Sequence, residues 1–126
     1  MKKLLLILLA LLIATPAFCA TVTLTFEWDA NTETDLAGYR LYFSTVQGVH
    51  VKGQYLSQVG KVTTTTDTIE IYPGEVVYYV LTAFDTEGKE SAFSNEVSFF
   101  LPPDGTGVAP ATPVFRLKSW ADASSK

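Results

Sequence analysis

From residue 22 onward the chain alternates. Val22, Leu24, Phe26 and Trp28 occupy every second position, with Thr23, Thr25 and Glu27 between them. Side chains on a strand point alternately to opposite faces, so this spacing predicts a strand with one buried face. Tyr39, Leu41 and Phe43 repeat the pattern. A shorter run covers 54–59, a Thr-rich run extends from Val62 to Ile71, Val76 to Phe84 is the most strongly β-disposed, and Asn95 to Leu101 closes the series. Turn sequences separate them: the polar stretch Asp29–Asp35 ending at Gly38, Pro73-Gly74, and Asp85-Thr86-Glu87-Gly88. Pro102 and Pro103 stop the last run, because neither has an N–H to donate to a ladder. Six strands with turns between them predict an all-β antiparallel sandwich spanning 21–101. Residues 102–126 read as a Pro/Gly linker (Asp104-Gly105-Thr106-Gly107) and a C-terminal tail.

The first twenty residues follow a different pattern. Lys2 and Lys3 precede an unbroken apolar run from Leu4 to Ile13, and Pro16-Ala17-Phe18-Cys19-Ala20 follows. Charge, a short apolar segment and small residues at a cut are the order of a secretory signal peptide over 1–20. Ten apolar residues make a helix of roughly 15 Å, half a hydrocarbon core of about 30 Å, so a stable membrane span is not expected. The reading places the protein outside the cytoplasm, in the periplasm or medium. Cys19 raises lipoprotein anchoring as a rival, but Phe18 stands where such signals carry a small residue. Cleavage after Cys19 or Ala20 removes the only thiol, and with it any disulfide or cysteine nucleophile. The remaining chain keeps all 13 acids and 7 of the 9 bases, a net charge of −6 without a basic cluster, which disfavours nucleic acid.

Two stretches resemble a known family. LTFEWDANTETDLAGYRLYFS is similar to strands B and C of a bacterial secreted fibronectin type III domain, with Trp28 and Tyr39 at its core positions. VLTAFDTEGKESAFSNEV is similar to that family's strand F, F–G turn and strand G, including Ala83, Gly88, Ser91 and Ser94. The resemblance implies an immunoglobulin-like sandwich of strands B, C, C′, E, F and G over Val22 to Leu101. It departs from the family twice. The family's corner tyrosine falls at Val77, with Tyr78 as the neighbouring substitute, and a signal cut near Ala20 leaves strand A apparently missing.

Candidate chemistry is sparse. His50, the only histidine, lies between two strands and no motif ties it to an acid or nucleophile, so it reads as a surface residue. Asp29, Asn31, Glu33 and Asp35 alternate as calcium loops do, but no bidentate Glu follows and a polar loop accounts for them. No cofactor, metal site or catalytic set is expected. In the family register Val77, Tyr79, Leu81 and Ala83 point inward. Arg40, Tyr42, Tyr78, Val80 and Phe84 then point outward as a candidate partner face.

The tail supplies a second candidate. Pro110 to Leu117 looks like the lead-in to a strand, and Val114, Phe115 and Leu117 are candidates to fill the edge that strand A leaves open. Filling its own edge turns the tail back parallel to strand B, whereas filling a neighbour's edge pairs it antiparallel. These features predict a secreted, non-catalytic module for protein–protein interaction or self-association, with the protein partner unnamed. The alternative is an accessory carbohydrate-binding module in which Tyr42, Tyr78 or Trp120 stacks on sugar rings.

Overall fold

Alternation becomes two sheets in the computed structural model, which describes residues 18–104 and 114–117. The strands are β1 (Ala20–Trp28), β2 (Leu36–Ser44), β3 (Ser57–Val59), β4 (Thr64–Ile71), β5 (Val76–Asp85), β6 (Val97–Phe100) and β7 (Val114–Leu117). One sheet has the order β4-β1-β7 and the other β3-β2-β5-β6. All pairings are antiparallel except β1 with β7, which is parallel. The described residues thus form an all-β structure of two sheets packed face to face. The expected signal residues 1–17, the linker 105–113 and the tail beyond 117, including Trp120, lie outside the described residues. Ala20, expected at the cut, opens β1 opposite Ile71.

The inward faces interlock as period two dictates. Val22, Leu24, Phe26 and Trp28 of β1 are buried against Tyr39 and Leu41 of β2 and Val77, Tyr79, Leu81 and Ala83 of β5. Phe26 packs on Tyr79 at 4.6 Å between ring centroids, and Trp28 on Tyr39 at 5.1 Å. Such tilted aromatic pairs stabilise beyond the area they bury, by about 0.5–1.5 kcal/mol. Leu101 and Leu117 close the layer from the strand ends. Asp67 stands in register with the inward-facing Leu24, and its carboxylate accepts the Tyr79 hydroxyl at 2.8 Å. Burial, that hydrogen bond and the Asp67 charge hold the Tyr79 phenol protonated far above its usual range. Val77, at the expected corner position, is core, Tyr78 is half-buried on the other face, and the phenol that bonds across the sheets is that of Tyr79.

Two strands are shorter than the pattern suggests. The run at 54–59 contributes only the three-residue β3, and Asn95–Leu101 contributes only β6, because flanking residues do other work described below. The tail forms β7 in the register Thr25↔Val114 to Trp28↔Leu117. Leu117 is fully buried, and the Phe115 ring lies 5.7 Å from Phe26 and 6.4 Å from Phe99. Ordering four residues costs about 4–8 kcal/mol of backbone entropy. Burying Phe115 and Leu117 returns about 3–5 kcal/mol, and the ladder a few more. β7 sits close to balance.

One glycine is sterically required. Gly38 lies at a register shift in the β2–β5 ladder, and a Cβ there would drive into the carbonyl oxygen of Val59. Gly38→Ala is expected to separate β3 from β2 and lower stability by about 1–3 kcal/mol. Loss of protection at the amides of the β2–β3 ladder in hydrogen exchange is the check. Trp28→Ala is expected to cost about 3–5 kcal/mol through lost burial and the cavity left behind. A urea midpoint unchanged from the parent would remove Trp28 from its role as a core anchor.

Candidate functional site

The four-stranded sheet has an outer face as well as an inner one, and it carries the residues singled out as a partner surface. Their positions require a correction. Tyr42 is 1% exposed and Val80 is 3% exposed, so neither is available to a partner or a sugar ring. Arg40, Tyr78 and Phe84 are partly covered. Two connections lie over this face: residues 45–56 between β2 and β3, and residues 86–96 between β5 and β6.

The second connection is held by serines. Ser91 and Ser94 are three residues apart, and each replaces a rung of the ladder beside β5. The backbone N–H groups of Ser91 and Ser94 donate to the carbonyls of Ala83 and Leu81, both at 2.9 Å. In return their hydroxyls accept the N–H groups of Ala83 and Leu81, again at 2.9 Å. Each hydroxyl passes its own proton to the carbonyl of the next residue, Ala92 or Asn95. The edge of β5 is satisfied without a regular strand, which frees the residues between and beside the serines to turn inward onto the sheet.

Glu90 is the first of them. One carboxylate oxygen accepts from Arg40 at 2.6 Å, and the other accepts the Tyr42 hydroxyl at 2.5 Å and the Thr82 hydroxyl at 2.8 Å. The Arg40 guanidinium lies between the Phe84 ring at 4.4 Å and the Tyr55 ring at 4.8 Å, and its Nε donates to Gln58 at 2.9 Å. Burial alone pushes the Glu90 carboxyl up. The hydrogen bonds from Tyr42, Thr82 and Arg40, with the Arg40 charge, outweigh it and hold the group below the usual carboxylate range. Burial and the same carboxylate push the Tyr42 phenol up.

Phe93 is the second. Its ring meets Tyr42 edge-on at 5.1 Å and carries the Lys52 ammonium at 4.6 Å. Lys52 also donates to the Ser91 carbonyl, and burial lowers its basicity. His50, expected on the surface, is instead enclosed: its side chain is 3% exposed, packs 5.9 Å from Phe93 and bonds Glu96 through Nε2 at 2.9 Å. The Gly53 N–H donates to the Tyr42 hydroxyl at 3.1 Å. Within the 45–56 connection His50 therefore turns inward and Lys52 reaches across the Phe93 ring, while Thr45, Gln47 and Gln54 stay exposed and Val46, Val49, Val51 and Leu56 are each about half exposed, at 57%, 53%, 52% and 48%.

The loop from Asp29 to Asp35 lies at one end of the sandwich. The Asp35 carbonyl accepts Thr86 N–H at 2.9 Å, the Asn31 N–H donates to the Tyr39 hydroxyl at 2.8 Å, and Asp29 pairs with Arg116 of β7 at 2.6 Å. With Phe84, Asp85 and Lys89 this loop borders a groove of about 310 Å³. Asn31 Oδ1 and Glu33 Oε2 are buried beside it without a hydrogen-bond partner. Among the described residues no group of three or more His, Cys, Asp or Glu side chains is placed to hold a metal ion. No helix among them is long and apolar enough to cross a membrane.

The Glu90 cluster sets the acid response of the fold. A carboxyl held below its unfolded value of about 4.3 contributes stability that is complete above that pH. It is lost as pH falls through the lower folded value. Glu90→Gln is expected to lose about 3 kcal/mol at pH 7, since Arg40 keeps its burial without its counter-charge. The gap between variant and parent should close as pH falls below about 4. Urea unfolding from pH 7 to pH 2 measures both; a gap independent of pH would mean that Glu90 acts by packing alone.

No family model, curated protein or solved structure matches this chain.

Proposed function

We propose that the chain is a secreted, non-catalytic binding module of fibronectin type III character whose contact surface is the aliphatic ridge of the 45–56 connection. The observation that carries this reading is the exposure of four aliphatic side chains along a connection whose one histidine is buried. His50 and Lys52 are drawn onto Phe93 and Glu96, and Val46, Val49, Val51 and Leu56 are left facing solvent. Four aliphatic side chains held together at the surface gain nothing from water, and such apolar patches mark protein contacts. The ridge is also anchored to the sheet, through Gly53 to Tyr42 and Lys52 to Ser91, so little order is lost on docking.

The strand order supports the family part of the reading. On this reading β1 and β4 correspond to strands B and E, and β3, β2, β5 and β6 to C′, C, F and G, an assignment with which the two sheet orders agree. The short apolar run at 4–13 behind Lys2 and Lys3 supports export. The carbohydrate alternative loses one of its three aromatics, because Tyr42 is buried, and Trp120 lies outside the described residues.

The test is the pair Val49→Asp and Val51→Asp, both at exposed positions where the fold tolerates charge. Thermal midpoints within about 2 °C of the parent are expected. In chemical cross-linking of the secreting cells, a discrete adduct of the parent chain is expected to disappear with both variants. An adduct pattern identical in parent and variants would move the contact surface elsewhere on the molecule.

A further inference from the structure

The groove beside β1 is a receptor for a strand, and β7 is its ligand. Without β7, the residues from Thr25 to Trp28 form an exposed sheet edge, with Phe26 and Trp28 beside it and Phe99 across from it. β7 answers that edge with four ladder positions, an inserted Phe115 ring and the fully buried Leu117. The pairing is parallel, the less stable kind per residue, and only half as long as the eight-position ladder between β1 and β4. A short parallel strand with one buried core side chain, Leu117, and one partly buried ring, Phe115, belongs to the low-stability end of local unfolding.

The connection to β7 is far longer than its path requires. Leu101 is fixed at the β4 end of the sandwich, where its carbonyl accepts Gly74 N–H and its N–H donates to the Glu75 carbonyl. That is the level of Ala20, which pairs with Ile71. Val114 lies five β1 positions further on, opposite Thr25, and on the other sheet. Five strand rises and one intersheet spacing put the two points roughly 20 Å apart. Residues 102–113 allow roughly 45 Å when extended. Slack of that size costs little in loop closure and leaves the strand free to reach beyond its own domain.

We propose that β7 is exchangeable, and that a second copy of this chain is the partner: its Val114–Leu117 enters the groove beside β1 reciprocally, giving a two-fold dimer, and in the parallel register of the chain's own strand instead of the antiparallel one expected of a head-to-tail neighbour. The contacts are those already made within one chain, so the interface carries no new chemistry, and concentration decides which form prevails. This interaction uses β1 and β7 and does not depend on the aliphatic ridge at 46–56.

Two arms test it. In the first, Leu117→Asp in the full chain dislodges its own strand, and a synthetic peptide of residues 112–120 is added. The peptide is expected to raise the lowered melting midpoint by several degrees at millimolar concentration, whereas the same peptide carrying Leu117→Asp does nothing. Absence of a rise, or an equal rise with both peptides, overturns the proposal. A Leu117→Asp chain that folds only when the parent peptide is present supports it.

In the second arm, residues 104–111 are deleted. Four connecting residues then span roughly 17 Å, too short for the strand to reach its own groove. Sedimentation is expected to show a dimer that reverts to monomer when Leu117→Asp is added. A chain that stays monomeric at high concentration, or a dimer indifferent to Leu117→Asp, overturns the exchange. Failure of the ridge variants Val49→Asp and Val51→Asp leaves both arms unaffected.

Discussion

Phe26 meets Tyr79 from the opposite sheet at 4.6 Å and Phe115 from β7 at 5.7 Å. This stack locates the constraint under which the fold operates. A sandwich has an interior one layer of side chains deep from each sheet, so every residue in it lies near an edge. β1 carries the largest inward set, Val22 to Trp28, and can bury it only if strands stand on both sides. β4 supplies one side along the full length of β1. On the other, β7 covers only Thr25 to Trp28, the half where the aromatics are. The tail is thus placed where an open edge would cost most.

The opposite sheet meets a different version of the same problem. β2 and β5 are long strands with apolar or aromatic residues on both faces, and one face has no second sheet to pack against. Residues 86–96 and 45–56 cover it instead, and they do so with charge. Arg40 and Glu90 have side chains only 17% and 11% exposed. A buried ion pair rarely stabilises a fold more than apolar packing of the same volume, because desolvation offsets the attraction. What it contributes is register. Glu90 accepts from three side chains on two strands, and Arg40 is fitted between two rings, so a slipped connection would strand a charge in an apolar setting.

The strands were legible in the sequence because period two is a local signal. Val22 to Trp28 states its own buried face, and Tyr39 and Leu41 do the same, although Phe43, the next position of that pattern, is 38% exposed at the strand end. The assignment of Arg40, Tyr42 and Val80 to the outward face was equally legible, and it is where the structure puts them. Their exposure was not. Alternation tells which side of a sheet a residue takes, not what lies over that side, and the cover comes from two connections with no periodicity. The burial of His50 is hidden for the same reason: its neighbours Val49 and Val51 look like a core and His50 like the exception, whereas at these three positions the histidine is enclosed and the valines are exposed. One signal did exist. Ser91 and Ser94 at a three-residue spacing after a turn are costly in a strand and useful in a segment that bonds an edge through side chains. Glu90 and Phe93, one residue ahead of each serine, are the positions such a segment turns inward.

The two covers differ in how firmly they are held, and that difference follows from chemistry. The cover over the four-stranded sheet is fastened by charge-assisted hydrogen bonds and by serines paired in both directions, contacts that fail together or not at all. The cover beside β1 is fastened by two apolar side chains and four ladder positions, with the Arg116–Asp29 pair solvent-exposed, 63% and 69%, and worth little. Apolar contacts are non-directional, so any strand presenting Phe and Leu at alternate positions satisfies the same edge. Polar contacts are not transferable in that way, because a wrong partner leaves a buried donor or acceptor unpaired. The molecule therefore places its directional chemistry where the structure must be unique and its non-directional chemistry at the one edge filled by a tail on a long connection.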